Sequence, residues 1–169
     1  DNLVRDYESL YHSYVALRRE VDRLSTLREI GLAIGGILDL DEALVSIARV
    51  VQEELEIRRL TLFEVAQDGR TLQPIIAKYG DDIIRKERLQ EEKTSLKGTP
   101  FGTALLNRAV HIENDSLGSV AYIPLIANNE PLGVMRLEDP RNGRPFSDED
   151  AALFRLVASH IAIAISNAR

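Results

Sequence analysis

Seven apolar residues open the chain in alternating steps of four and three: Leu3, Tyr7, Leu10, Tyr14, Leu17, Val21 and Leu24. An α-helix gathers such positions into one narrow seam, the signature of a coiled coil. A helix lying on its own domain shows a wider apolar stripe. Nothing breaks the pattern, because the first glycine is Gly31 and the first proline is Pro74. The spacing predicts one uninterrupted helix over the first thirty residues, paired in parallel with a second copy of the chain. After Leu24 the phase shifts. Leu27, Ile30, Ile34 and Ile37 turn the apolar face, so a seam that faces a partner becomes a face that covers a domain. The expected organisation is a coiled-coil helix over 1–26 and a domain over 27–169.

Asp39, with Glu42 three residues on, has capping-box spacing and begins a helix that buries Leu44, Ile47, Val51 and Leu55. From there the apolar period falls to two. Stretches 60–66 and 71–78 read as strands across a Gln67-Asp68-Gly69-Arg70 turn, and Pro74 marks an edge or a bulge. Segment 81–97 is polar and charged and reads as a loosely held surface helix or a mobile cover. Thr99-Pro100 is a cap followed by proline at the first helical position, so 100–108 is a short helix. A short strand over 110–113 and a hairpin of 120–126 with 132–138 follow. Ser147 caps the last helix, with Asp148, Glu149 and Asp150 on its positive end. Hairpins with helices gathered at the chain ends predict an α+β fold: an antiparallel sheet, N- and C-terminal helices packed on one face, and a long N-terminal coiled-coil helix. Segment 81–108 roofs the other face and leaves a pocket beneath it.

Composition narrows the function. Asp and Glu outnumber Lys and Arg by 27 to 21, giving a net charge of −6, which opposes a nucleic-acid groove. There is no cysteine, which removes thiolate nucleophiles, Cys-ligated zinc and thioether-linked chromophores together. The longest uncharged stretch, 116–129, contains Pro124, so nothing in the chain is expected to span a membrane and no membrane contact by this fragment is expected. A disulfide-free chain fits the cytoplasm. Phosphate loops, nucleophile elbows and zincin motifs are missing. His12, His111 and His160 are dispersed, so neither a metal site nor a cofactor is expected. Without an initiator Met, the chain reads as a fragment carrying further signalling domains on its flanks.

The carriers of a family resemblance are Leu27-x-x-Ile30 into Asp39-Leu40-Asp41-Glu42-Ala43-Leu44, and Gly98 and Gly102 before Val110-His111-Ile112. Ser119-Val120-Ala121-Tyr122-Ile123-Pro124-Leu125 and Leu132-Gly133-Val134-Met135-Arg136-Leu137 continue the set, and Phe146-Ser147-x-x-Asp150 with Ile161-Ala162-x-Ala164-Ile165 completes it. In that order the chain resembles a GAF domain preceded by a signalling coiled coil. The resemblance implies a small-molecule sensing and dimerisation module of signalling proteins, with any ligand between sheet and roof. Glu138-Asp139 stands where cyclic-nucleotide-binding members carry Asn-Lys, and two carboxylates there oppose a phosphate-bearing ligand. Bilin-attaching members and the free-methionine-sulfoxide reductases of this fold need a cysteine that this chain lacks.

Strand alternation supplies the candidate site. Ala121, Ile123 and Leu125 suit the helix layer, as do Gly133, Met135 and Leu137. That turns Tyr122 and Arg136 toward the roof, where Phe101 and Thr103 join them as candidate ligand contacts. An arginine in a partly dry pocket favours an anionic or carbonyl-bearing small molecule. Two functions follow: a non-catalytic sensor that relays through dimeric helices, or a pure dimerisation spacer with no ligand.

Overall fold

A computed structural model of the chain describes residues 5–6, 8–10, 13, 40–116 and 118–168. Of the expected seam, only Leu10 is among them; Leu3, Tyr7, Tyr14, Leu17, Val21 and Leu24 lie outside the described residues, as does the Asp39 cap. The elements run α1 (Leu40–Glu54), β1 (Ile57–Val65), β2 (Thr71–Tyr79), β3 (Asp82–Arg85), β4 (Thr94–Ser95), α2 (Pro100–Asn107), β5 (His111–Asp115), β6 (Gly118–Ala127), β7 (Glu130–Pro140) and α3 (Asp148–Ala168). They build one seven-stranded sheet in the order β3-β2-β1-β7-β6-β5, antiparallel at every step, with β4 paired to the start of β2.

One face carries the core. Ala43, Leu44, Ile47, Ala48 and Val51 recur at helical spacing along α1, and Phe154, Val157, Ala158, Ile161, Ala162 and Ile165 do so along α3; all are buried. They pack on Leu60, Leu62, Ile76, Ala121, Ile123, Leu125, Met135 and Leu137 of the sheet. Fully burying one of the large side chains stabilises the fold by about 1.5–3 kcal/mol. The start of α3 is held by a reciprocal box: Ser147 Oγ accepts from Asp150 N at 3.1 Å, and Asp150 Oδ2 accepts from Ser147 N at 2.9 Å. The end of α1 is pinned by polar contacts. Lys78 Nζ donates to Gln52 Oε1 and, at 2.7 Å, to the Gly80 carbonyl; Gln52 Nε2 donates to the Arg58 and Gly80 carbonyls at 2.9 and 2.8 Å.

Pro74 lies at a bulge. The β1–β2 register shifts between Leu62 and Phe63, pairing Leu62 with Ile76 and Phe63 with Pro74. The stretch 81–97 is no helix. It forms β3, two three-residue 3-10 turns (Lys86–Arg88 and Gln90–Glu92) and β4. Its apolar residues have no 3.6-residue repeat, so a helix would bury nothing; pairing Ile83 and Ile84 with Lys78 and Ala77 of β2 satisfies the backbone instead. Among the described residues no helix is long and apolar enough to cross a membrane.

Candidate ligand site beneath the roof

The site begins with strand register. The two-residue turn Asn128-Asn129, both at positive φ (53° and 65°), closes the β6–β7 hairpin, and a register shift between Leu125 and Ile126 then pairs Leu125 with Gly133 and brings Tyr122 directly opposite Arg136. Across the sheet one row reads Ala77, Thr61, Arg136, Tyr122 and His111. Two residues along, a second reads Tyr79, Arg59, Glu138, Val120 and Glu113. On the other side Phe63 stands opposite Val134. All three rows face away from the α1–α3 layer, because successive side chains on a strand alternate faces.

Helix α2 is the roof over the apolar row. Thr99 Oγ1 accepts from Gly102 N at 3.4 Å, and Pro100 opens the first turn. Arg108, left-handed at φ 51°, ends the helix, and its Nη1 donates to Asn129 Oδ1 at 2.7 Å, tying the roof to the β6–β7 turn. Close approach requires glycine at 102: a Cβ there would lie 1.9 Å from the Leu96 carbonyl oxygen. Phe101 is buried edge-to-face against Phe63 (centroids 4.8 Å apart) and Tyr122 (4.9 Å).

Arg136 is the centre of this face, with only 17% of its side chain exposed. Its guanidinium carbon lies 5.2 Å from the Phe63 ring centroid and 5.8 Å from that of Phe101, within cation–π range. Nη2 donates to Glu92 Oε2 at 3.0 Å, from the second 3-10 turn. Nε lies 2.9 Å from Glu138 Oε1, yet it is buried and has no hydrogen-bond partner among the described residues; the contact is an ion pair without a directed bond. Burial alone lowers the Arg136 pKa, but Glu138 and Glu92 outweigh it, leaving the pKa above its ordinary value and the group charged. Burial pushes the Tyr122 phenol up despite nearby Arg136, so it stays a neutral donor. Beside them the fully buried Thr61 places its hydroxyl 3.4 Å from that of Tyr79.

Of the four candidates from the sequence, Phe101, Tyr122 and Arg136 come together. Thr103 does not. Two residues along a helix is a 200° turn, so with Phe101 and Ala104 buried, Thr103 is exposed on the outer side. There it lines an open groove of about 740 Å³ with Arg70, Leu96, Lys97 and Leu106. Sequence reasoning missed Thr61, Phe63, Tyr79 and Glu92. Alternation around Leu60 and Leu62 was signal enough for Thr61 and Phe63; Glu92, 44 residues from Arg136, left none.

With this geometry in place, comparison with known proteins is informative. The family model of the GAF domain matches residues 39–167. The GAF domain of a phosphoenolpyruvate-protein phosphotransferase (ptsP) from Coxiella burnetii is similar, with TM-score 0.73 and 17% identity over 88% of this chain and 95% of that one. Residues 122 to 287 of a methyl-accepting chemotaxis protein give TM-score 0.68 and 19% identity, covering 82% and 96%. The free methionine-R-sulfoxide reductase of Neisseria meningitidis gives TM-score 0.68 and 16% identity, covering 87% and 90%. At such identities the likeness is one of fold, and the fold hosts both regulatory modules and an enzyme.

Proposed function

This chain belongs to the GAF domain family, a family of sensory and regulatory domains of signalling proteins, and from that premise we propose that it is a non-catalytic sensor. In this reading a small anionic or carbonyl-bearing molecule binds between sheet and roof, against Arg136, Tyr122 and Phe101. The observation that carries the reading is a charged guanidinium, mostly withdrawn from water, whose Nε has no hydrogen-bond partner among the described residues. Nε is ion-paired with Glu138 at 2.9 Å, so what a ligand oxygen would supply is the directed bond that this contact lacks. The non-catalytic assignment is supported by the lack of cysteine and by the engagement of the roofed polar groups with one another.

The output side is helical. The domains are a coiled coil over 1–26 and the sensor over 27–169, joined in a cytoplasmic parallel homodimer between flanking signalling domains. Leu10 of the seam is 70% exposed in the single chain and Ile163 on α3 is 52% exposed, as surfaces reserved for a second copy would be. Changing Leu10 and Leu17 together to Lys should then leave a monomer by mass in solution at tens of micromolar. A dimer that survives this change refutes the coiled-coil relay.

A spacer without a ligand is the second reading, and the ring contacts of Phe101 with Phe63 and Tyr122, which fill the apolar row, favour it. A thermal-shift screen of small carboxylates, amides and sugars separates the two, since a ligand that binds only the folded state raises Tm. A ligand that raises the Tm of the natural chain and leaves Arg136→Gln unmoved supports the sensor. No response from any compound supports the spacer.

A further inference from the structure

We propose that Glu92 is a built-in stand-in for the ligand's anion, displaced on binding, and that the ligand is a monocarboxylate on an apolar body. The proposal rests on the roofed face being a ligand site and adds the chemistry of its occupant. The two carboxylates on Arg136 are not equivalent. Glu138 belongs to the same strand, two residues along, and makes no directed bond to Nε. Glu92 supplies the directed bond to Nη2, yet it comes from a three-residue 3-10 turn of the roof segment. Its side chain is 39% exposed, against 24% for Glu138. The carboxylate that fills the best acceptor position on the guanidinium is therefore the one that can swing into water at small cost, because half-solvated ion pairs contribute little.

Charge decides what can replace it. Arg136 with Glu92 and Glu138 sums to one negative charge, and exchanging Glu92 for a ligand monocarboxylate preserves that sum. A phosphate dianion would add a second negative charge beside Glu138, and a neutral amide would accept from the guanidinium but forgo the charge–charge attraction. The rings of Phe63 and Phe101 lie under the guanidinium but are packed edge-to-face and buried, so an apolar body on that carboxylate would enter by parting Phe101 from Phe63. Departure of Glu92 also reaches the roof: its turn leads through β4 to Leu96, whose carbonyl lies against Gly102 of α2.

The test is calorimetric titration of the 169-residue chain with benzoate, benzamide and phenyl phosphate, in the natural sequence and in Glu92→Gln, Glu92→Ala and Arg136→Gln. Removing the internal competitor should tighten benzoate about two- to fivefold, the worth of one partly solvated ion pair, and benzamide should bind more weakly than benzoate in every form. Arg136→Gln should abolish benzoate binding, and phenyl phosphate should bind more weakly than benzoate throughout. Equal benzoate affinity with and without Glu92, lost in Arg136→Gln, overturns the stand-in and keeps the ligand site. Benzoate that binds no form, or binds Arg136→Gln as well as the rest, overturns the monocarboxylate assignment. If a neutral compound from the thermal-shift screen still depends on Arg136, the sensor reading survives that failure; if nothing binds in either assay, both fall.

Discussion

Lys78 is buried beneath the end of α1, and its hydrogen bonds go to neutral groups: the Gln52 side-chain carbonyl and the Gly80 backbone carbonyl. Removing either side chain breaks the same contact, but the two changes should differ in size. Gln52→Leu leaves the Arg58 carbonyl its bond from Gly80 N and the Gly80 carbonyl its bond from Nζ, so no acceptor is orphaned. It leaves the ammonium with one acceptor in a site that is 7% exposed. Stranding a buried charge costs about 3–5 kcal/mol; one acceptor remains here, so about 3 kcal/mol is expected. Lys78→Met removes the charge itself. Gln52 Oε1 then loses its partner while Nε2 keeps both of its own, so the loss is about 1 kcal/mol. The double variant Gln52→Leu, Lys78→Met strands no charge but orphans the Gly80 carbonyl, at about 1–2 kcal/mol, so it should be more stable than Gln52→Leu alone by about 1–2 kcal/mol. Urea unfolding followed by circular dichroism gives these differences as shifts in midpoint at constant m. If Lys78→Met costs as much as Gln52→Leu, or if the two changes add, the account of the pin as a stranded-charge problem is wrong.

Gly102→Ala drives a methyl into the Leu96 carbonyl and should destabilise the roof by about 2 kcal/mol or more, seen as faster hydrogen exchange confined to 96–108. Ser147→Ala removes one half of the α3 box and should lower stability by about 1 kcal/mol in the same urea assay. Asp68 accepts from Arg70 N and Thr71 N in the β1–β2 turn, and these bonds hold its pKa below 3.8. A depressed carboxylate pKa stabilises the fold above the unfolded value and loses that contribution as pH falls through the folded one. Its carboxyl-carbon NMR titration should therefore have a midpoint under 3.8, and an unshifted midpoint would contradict the turn geometry.

Much of the layering was legible in the sequence because it is local. Period-two alternation over Ala121, Ile123 and Leu125 and over Met135 and Leu137 assigned the buried face, and by exclusion sent Tyr122 and Arg136 to the other. Side-chain parity along a strand needs no knowledge of the neighbours. The cap of α2 and the α3 box were equally readable, since each joins residues within one turn. Thr103 faces away from Phe101 for an equally local reason, since two residues along a helix is a 200° turn. The polar stretch 81–97 could not be read, because it has no repeat of its own and takes its shape from the edge of β2.

What surrounds Arg136 was settled only by tertiary structure. β1 and β7 are neighbours in the sheet yet lie at opposite ends of the strand sequence, so the pairing of Thr61 with Arg136 and of Phe63 with Val134 is invisible to any local pattern. Glu92 reaches Arg136 from 44 residues away, across the roof. Which face each strand residue takes depends on backbone geometry alone and can be read along one strand. Which residues meet on that face, and that a roof carboxylate already sits on the Arg136 guanidinium, was decided by long-range packing, where sheet order and burial set the electrostatics.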